Sequence, residues 1–321
     1  MTEWPNHKFT WDEWRCAASS ARMHHGWILS GKAGLGKHDF ALAAARELVA
    51  EEGIPQPAAD HPDIIVLEKP AKDDKEEKKR VEGKPYETKR NISVAQIRAM
   101  QSRLNTRPTL GSRRVIIIDP ADDMERSASN ALLKSLEEPP QGTFFMLVTH
   151  RASGLLPTIR SRCRMLRFTP LSDATIAAQL AEEFDEVSAS EREAALRLAG
   201  GSLGNARKFL SLGLGPAAST MHELITHGDK DPTLRGKLAQ TIGARPDRDK
   251  LHLVIDLARS SLGKAVTEAG TAQRTQMIEA HEELVLLGAQ VGTYNFDTGL
   301  LINEIAGLLA RAGNASEPAY G

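Results

Sequence analysis

The stretch GKAGLGKHDFA, Gly31 to Ala41, constrains this chain more than any other. It has the frame G-x-x-x-x-G-K of a phosphate-binding loop, in which backbone N–H groups and a lysine ammonium cradle phosphate oxygens. Such a loop needs a strand before it and a helix after it, because the helix N-terminus adds a partial positive charge. The flanking residues supply both. GWILS, Gly26 to Ser30, is brief and apolar and predicts a buried strand; HDFALAAARELVAEEG predicts a helix ending near Gly53. The residue after the lysine should be Ser or Thr, whose hydroxyl helps hold the nucleotide's magnesium. Here it is His38. Three readings are open: an ATPase site, a nucleotide site that has lost its chemistry, and a loop kept for its shape.

The same alternation continues downstream. RRVIIIDPADDM, Arg113 to Met124, contains an apolar strand ending at Asp119. RSASNALLKSLEEPP predicts a helix stopping at Pro139, and TFFMLVTH, Thr143 to His150, another buried strand. Strands alternating with helices imply an α/β domain with a parallel sheet, whose sites lie at the carboxyl ends of strands. Gly31–Lys37, Asp119 and His150 all follow strands in this way. Thr10 and Glu13 have the spacing of a capping box, as do Ser93 and Gln96, the latter with Ile92 and Ile97 placed as a hydrophobic staple. Ile97, Met100 and Leu104 fall on one helical face. Residues 69–90 are almost wholly charged or turn-forming, with both signs interspersed, and read as a solvated, mobile loop rather than a nucleic-acid arm. After Pro170 only helical patterns remain, among them Lys250 to Ala269, Ala272 to Leu287 and Thr298 to Arg311, before a tail expected to fray. The expected division is an α/β domain over 1–168, a small helical domain over 169–215 and a second over 216–321.

Composition narrows the function classes. With 321 residues and a net charge of −1, the chain does not bind polyanions by bulk charge. No apolar run reaches ~18 residues, so no membrane span is expected. The cysteines are Cys16 and Cys163, too few for a disulfide framework or a four-cysteine zinc site, which fits a reducing cytoplasm. The spacing of His24, His25 and His61 fits no metal site, and His61 reads as a turn residue before Pro62. No metal and no zinc are expected.

ATP hydrolysis on such a sheet needs phosphate cradling, which Gly31, Gly34, Gly36 and Lys37 can supply. It also needs a hydroxyl and a strand-end aspartate for magnesium. Asp119 is present, but His38 stands in the hydroxyl's place. A carboxylate beside the aspartate should polarise the attacking water, and that residue is Pro120. Asp122 and Asp123 are near in sequence, but the Pro-Ala turn aims them elsewhere.

The segment from Ile116 to Leu171, with NALLKSLEEPP followed by LLPTIRSRC, resembles the clamp-loader subunits of bacterial replicative DNA polymerase, and within them the delta-prime family. HPDIIVLEKP and ISVAQIRAM also match that family's pattern, so the likeness covers residues 20–170 motif by motif. The resemblance implies an AAA+ fold: a P-loop α/β domain, a helical lid and a helical collar joining five subunits in a ring. It implies delta and gamma/tau subunits as partners, with the sliding clamp and primer-template DNA reached through the complex, as a component of a DNA-directed DNA polymerase holoenzyme. The family's active ATPases read Asp-Glu where this chain has Asp119-Pro120, and carry a polar Asn or Thr where it has His150. Their lid arginine follows a Gly-Ser pair; here Gly201 and Ser202 are kept, Gly204 stands in the arginine's place, and Arg207 lies one turn later. The four-cysteine zinc module of many relatives is missing from GIPQPAADHPD. These departures imply no intrinsic hydrolysis and weak or absent ATP binding. The resemblance also implies that Ser161-Arg162-Cys163 lies at a subunit edge, with Arg162 an arginine finger for the neighbour's γ-phosphate. On residues alone, Arg160, Arg162, Arg164 and Arg167 could equally form a solvated basic edge, and Cys163 has no partner motif for a nucleophile. Two rivals stay open: an active gamma/tau-like ATPase and a small-molecule P-loop kinase.

Overall fold

A computed structural model describes residues 7–20, 22–84, 86–229, 232–243, 246, 248–291 and 297–313. The tail from 314 onward, expected to fray, lies outside the described residues. The chain divides into two compact units, Met1–Leu171 and Ser172–Gly321.

The first unit is built on apolar runs too short for helices and rich in β-branched residues. β1 (Gly26–Ser30), β2 (Ile64–Leu67), β3 (Arg114–Ile118), β4 (Thr143–Thr149) and β5 (Arg164–Arg167) form a parallel sheet in the order β2-β3-β4-β1-β5. Both faces are covered, and the side chains alternate between them as a period of two requires. Trp27, Leu29, Val115, Ile117, Met146 and Val148 pack on α1 (Lys8–Ala18) and α2 (Lys37–Val49). Ile28, Ile116, Ile118, Phe145 and Leu147 face the side carrying α4 (Val94–Leu104) and α5 (Arg126–Glu137). Each such burial contributes about 1.5–3 kcal/mol, so the interior strands are the rigid part of the unit.

Local signals decide the element ends. Ser93 accepts from the Gln96 N–H and Gln96 reaches back to the Ser93 N–H, the expected box, with Ile92 and Ile97 buried in one cluster. The box expected at Thr10 does not form. α1 begins at Lys8, Thr10 lies inside it, and its hydroxyl donates instead to the Arg167 carbonyl at 3.3 Å. A tertiary partner at the end of β5 replaces the local one. The charged stretch 69–90 also differs from a mobile loop: it contains α3 (Asp74–Val81). Asp73 caps that helix, and the pairs Glu76–Lys79 and Glu77–Arg80 lace one turn to the next. A short helix, α6 (Pro157–Arg160), precedes β5.

The second unit is helical throughout its described residues: α7 (Asp173–Glu183), α8 (Ala189–Ala199), α9 (Leu203–Ser211), α10 (Gly215–His227), α11 (Thr233–Ile242), α12 (Arg248–Glu268), α13 (Thr271–Val291) and α14 (Thr298–Gly313). Ser172, Ser188 and Ser202 each cap the helix that follows. α14 is the apolar centre, burying Leu301, Ile302, Ile305 and Leu309. Among the described residues no helix is long and apolar enough to cross a membrane.

Candidate functional site

β1 ends at Ser30 and the chain turns at once into the loop that leads to α2. Gly34 (φ 73°) and Gly36 (φ 76°) hold the left-handed conformation that the tight turn demands. Gly31 is required for another reason: a Cβ there would lie 2.5 Å from the Phe168 carbonyl oxygen. The glycines thus set a tight turn between β1 and α2. His7, which sequence reasoning did not single out, braces it from just before α1 through a 2.8 Å bond between Nε2 and the Leu35 carbonyl.

Lys37 begins α2 and is only 3% exposed. Its ammonium donates to the carbonyls of Gly31 (2.7 Å) and Lys32 (2.5 Å) and lies 3.3 Å from His150 Nδ1. Burial pulls its pKa down to about 8, against the opposing pull of Asp119 and Asp122. Burial also lowers the pKa of His150, helped by the Lys37 charge. Lys37 thus closes its own loop.

The magnesium half of the site is rearranged. His38 Nδ1 lies 2.6 Å from Asp119 Oδ2 and 3.7 Å from Glu68 Oε1. The hydrogen bond to Asp119 raises the His38 pKa. The strand-end aspartate therefore meets an imidazole where magnesium would need a hydroxyl oxygen. Pro120 follows in a cis peptide and carries no carboxylate. Asp122 accepts from the Thr149 hydroxyl and the His150 N–H, both at 2.5 Å, and Asp123 pairs with Lys69 at 2.9 Å. Both acids are turned to fixing strand ends. Together these residues do not fit a magnesium–nucleotide complex, which needs an octahedral oxygen shell. Glu68 escaped sequence reasoning, although it is the first residue after β2 and so sits at the same carboxyl edge as Asp119.

The Ser161-Arg162-Cys163 segment lies elsewhere. β1 and β5 are parallel, with Trp27 opposite Arg164 and Ser30 opposite Arg167. The segment precedes β5, so it sits at the amino end of the sheet, whereas the phosphate loop follows the carboxyl end. The Arg162 carbonyl is beside Gly26, where a Cβ would come within 3.0 Å of it. From Gly26 to Gly31 the strand rises about 16 Å at roughly 3.3 Å per residue. The Arg162 guanidinium pairs with Glu137 at the end of α5 (2.8 Å) and donates to the Thr158 carbonyl (3.0 Å) and the Ser161 hydroxyl (3.4 Å). Its side chain is 35% exposed. Cys163 is the opposite case: burial pushes its thiol up to about 12.

Arg164 stacks over the Trp27 ring at 5.4 Å, while Arg160 and Arg167 are exposed. His24 and His25 stack on each other, and His25 holds the Leu136 carbonyl. His61 is buried, accepts from the Asp63 N–H and bonds Gln56, as a turn residue should. In the second unit Arg207 is clasped by Glu183.

The model of the family described as DNA polymerase III, delta subunit, matches residues 6–172. The delta' subunit of DNA polymerase III from Pseudomonas aeruginosa is 33% identical over 213 residues, covering 60% of this chain and 58% of that protein. The delta' subunit from Bacillus subtilis is 31% identical over 173 residues, covering 50% and 47%. The chain thus spans about half the length of the curated relatives it matches. A solved DNA polymerase III gamma subunit-related protein from Thermotoga maritima superposes with a TM-score of 0.52 at 18% identity, over 95% of this chain and 99% of that one. At that identity the likeness speaks for the fold alone.

Proposed function

This chain belongs to the DNA polymerase III delta subunit family, and from that premise we propose that it is a non-hydrolysing member of a bacterial clamp-loader ring that supplies Arg162 to the nucleotide site of its neighbour. The observation that carries the proposal is the separation of two cations. Lys37 is folded into its own loop, with His38 on Asp119, at one end of the sheet. Arg162 stands at the other end, out of reach of that loop. An arginine so placed cannot complete its own site, but it can complete one brought against that edge by another subunit. A planar, permanently charged guanidinium suits phosphate oxygens bidentately and stabilises the charge spread over a transferring phosphoryl group. The pair with Glu137 holds it at the surface until a phosphate replaces the carboxylate. On this reading residues 169–215 are a lid and 216–321 a collar, and the partners are delta and gamma/tau subunits in a five-membered ring. The clamp and DNA are met through the complex, in the cytoplasm. The chain's own loop binds ATP weakly or not at all, and a cysteine-ligated zinc module is not part of the design.

The rival is an active gamma/tau-like ATPase, and ATP turnover by the isolated full chain separates the two. No turnover above a buffer blank is expected, because His38 and Pro120 remove a magnesium ligand and the water-polarising carboxylate. Turnover abolished by Lys37→Ala would establish the rival. A small-molecule kinase has no use for an arginine remote from its own loop.

A further inference from the structure

The residues around His38 make a donor set of another kind than a magnesium–nucleotide site. His38 comes from the first turn of α2, Glu68 from the residue after β2 and Asp119 from the residue after β3. One imidazole nitrogen and one oxygen from each carboxylate lie within 4.8 Å of one another. The scaffold that places them is stiff. β2 and β3 pair in register up to Leu67 and Ile118, and the Asp119 N–H donates to the Leu67 carbonyl at 2.9 Å, which locks the two acid-bearing corners together. The neighbouring acids are already committed, Asp122 to Thr149 and His150, and Asp123 to Lys69. The three ligand atoms are open to solvent on one side, since His38 and Glu68 are partly exposed while Asp119 is mostly covered.

We infer that His38, Glu68 and Asp119 form a site for one divalent transition-metal ion, zinc or a neighbour in the first row, that requires no nucleotide. The chemistry selects the class of ion. Magnesium prefers an octahedral shell of oxygens and gives up water reluctantly, whereas imidazole with carboxylates suits zinc, cobalt, nickel and copper. Zinc bonds of about 2.0–2.2 Å in a tetrahedron place neighbouring ligand atoms roughly 3.3–3.6 Å apart. The 3.7 Å from His38 to Glu68 is close to that span. The 2.6 Å from His38 to Asp119 is the hydrogen bond that an ion would open. Water completes the shell on the exposed side. The ion would tie α2 to two strand ends and stiffen the loop that leads into α2. The inference stands apart from the ring proposal, because it uses neither Arg162 nor a partner.

The test is calorimetric titration of the chelator-treated full chain with zinc chloride alone, with magnesium chloride as comparison and a Cys16→Ser background to remove the exposed thiol. One zinc per chain is expected, bound at least a hundredfold more tightly than magnesium, with a rise in Tm. His38→Ala and Glu68→Gln should each weaken zinc at least tenfold, while the doublet His24→Ala/His25→Ala leaves it within twofold. Circular dichroism checks folding; Glu68 is the most exposed of the three, so Glu68→Gln keeps the test valid if His38→Ala unfolds. Absence of saturable one-to-one binding overturns the site. So does zinc affinity that survives both substitutions, or that falls only with the His24/His25 doublet.

Discussion

Lys37 and Arg162 are both cations of the kind that bind phosphate, and they stand at opposite ends of one sheet in opposite circumstances. Lys37 is buried, depressed to about 8, and bonded to two backbone carbonyls of its own loop. Arg162 is half-open and held mainly by Glu137, itself exposed. A hydrogen bond from a charged group is worth about 1.5–3 kcal/mol, so withdrawing Lys37 from both carbonyls is costly. An exposed ion pair is worth about 0–1 kcal/mol, so Arg162 can leave Glu137 at little expense. On the proposed reading, the difference marks Arg162 as the cation more readily released to a phosphate. A phosphate-loop lysine can have its hydrogen bonds satisfied within the fold, as Lys37 does with Gly31 and Lys32.

The strongest way to break this comparison is at Arg162. In a clamp loader rebuilt with Arg162→Ala, hydrolysis at the neighbouring site should fall by about 10³–10⁵. Part of the ring's total turnover survives, and clamp loading falls further. Arg162→Lys should rescue poorly, since an ammonium lacks the planar fork. Gel filtration should show assembly intact. Normal loading by the mutant ring would make Arg162 a mere edge charge.

The loop end offers the next effect, and it concerns folding. Gly31→Ala puts a methyl against the Phe168 carbonyl and should cost about 1–3 kcal/mol in a urea unfolding curve, the usual range for overpacking. A neutral result would show that the loop is not held tightly against the end of β5. At the other end, Cys163 sharpens the contrast with Arg162 beside it. Its thiol is raised from 9.0 to about 12 by burial. Between those values the unfolded chain releases a proton that the native chain keeps, so stability present below about pH 9 declines as pH rises through that window. Cys163→Ala should flatten that alkaline decline, and in the native protein an alkylating reagent should label exposed Cys16 well before Cys163. Equal labelling rates would contradict the burial. The smallest effect is expected of Glu137→Ala, no more than about 1 kcal/mol in stability, measured by thermal melting.

Much of the α/β unit was legible because its signals are local. GWILS, RVIII and TFFMLVT carry apolar runs that become β1, β3 and β4, and Ser93 with Gln96 writes its own helix start. What stayed hidden depends on distant partners. β5 reads R-M-L-R, charged at both ends because it is an edge strand, and it looks like a basic surface patch. Thr10 has a local capping partner in sequence and a better one across the fold at Arg167. His38, Glu68 and Asp119 are brought together by the β2–β3 register, which no short window of sequence reveals. The loss of the magnesium hydroxyl was plain at His38; that its replacement would grip Asp119 was not.

On the proposed reading, the arginine edge and not the phosphate loop is what this chain contributes to phosphoryl chemistry. One measurement tests it most directly: the DNA- and clamp-stimulated ATPase of two otherwise identical rebuilt complexes, one carrying Lys37→Ala and the other Arg162→Ala in this chain. The account predicts near-normal stimulated turnover with Lys37→Ala and loss of one neighbouring site's turnover with Arg162→Ala. The reverse pattern, with Lys37→Ala damaging turnover and Arg162→Ala sparing it, would contradict it.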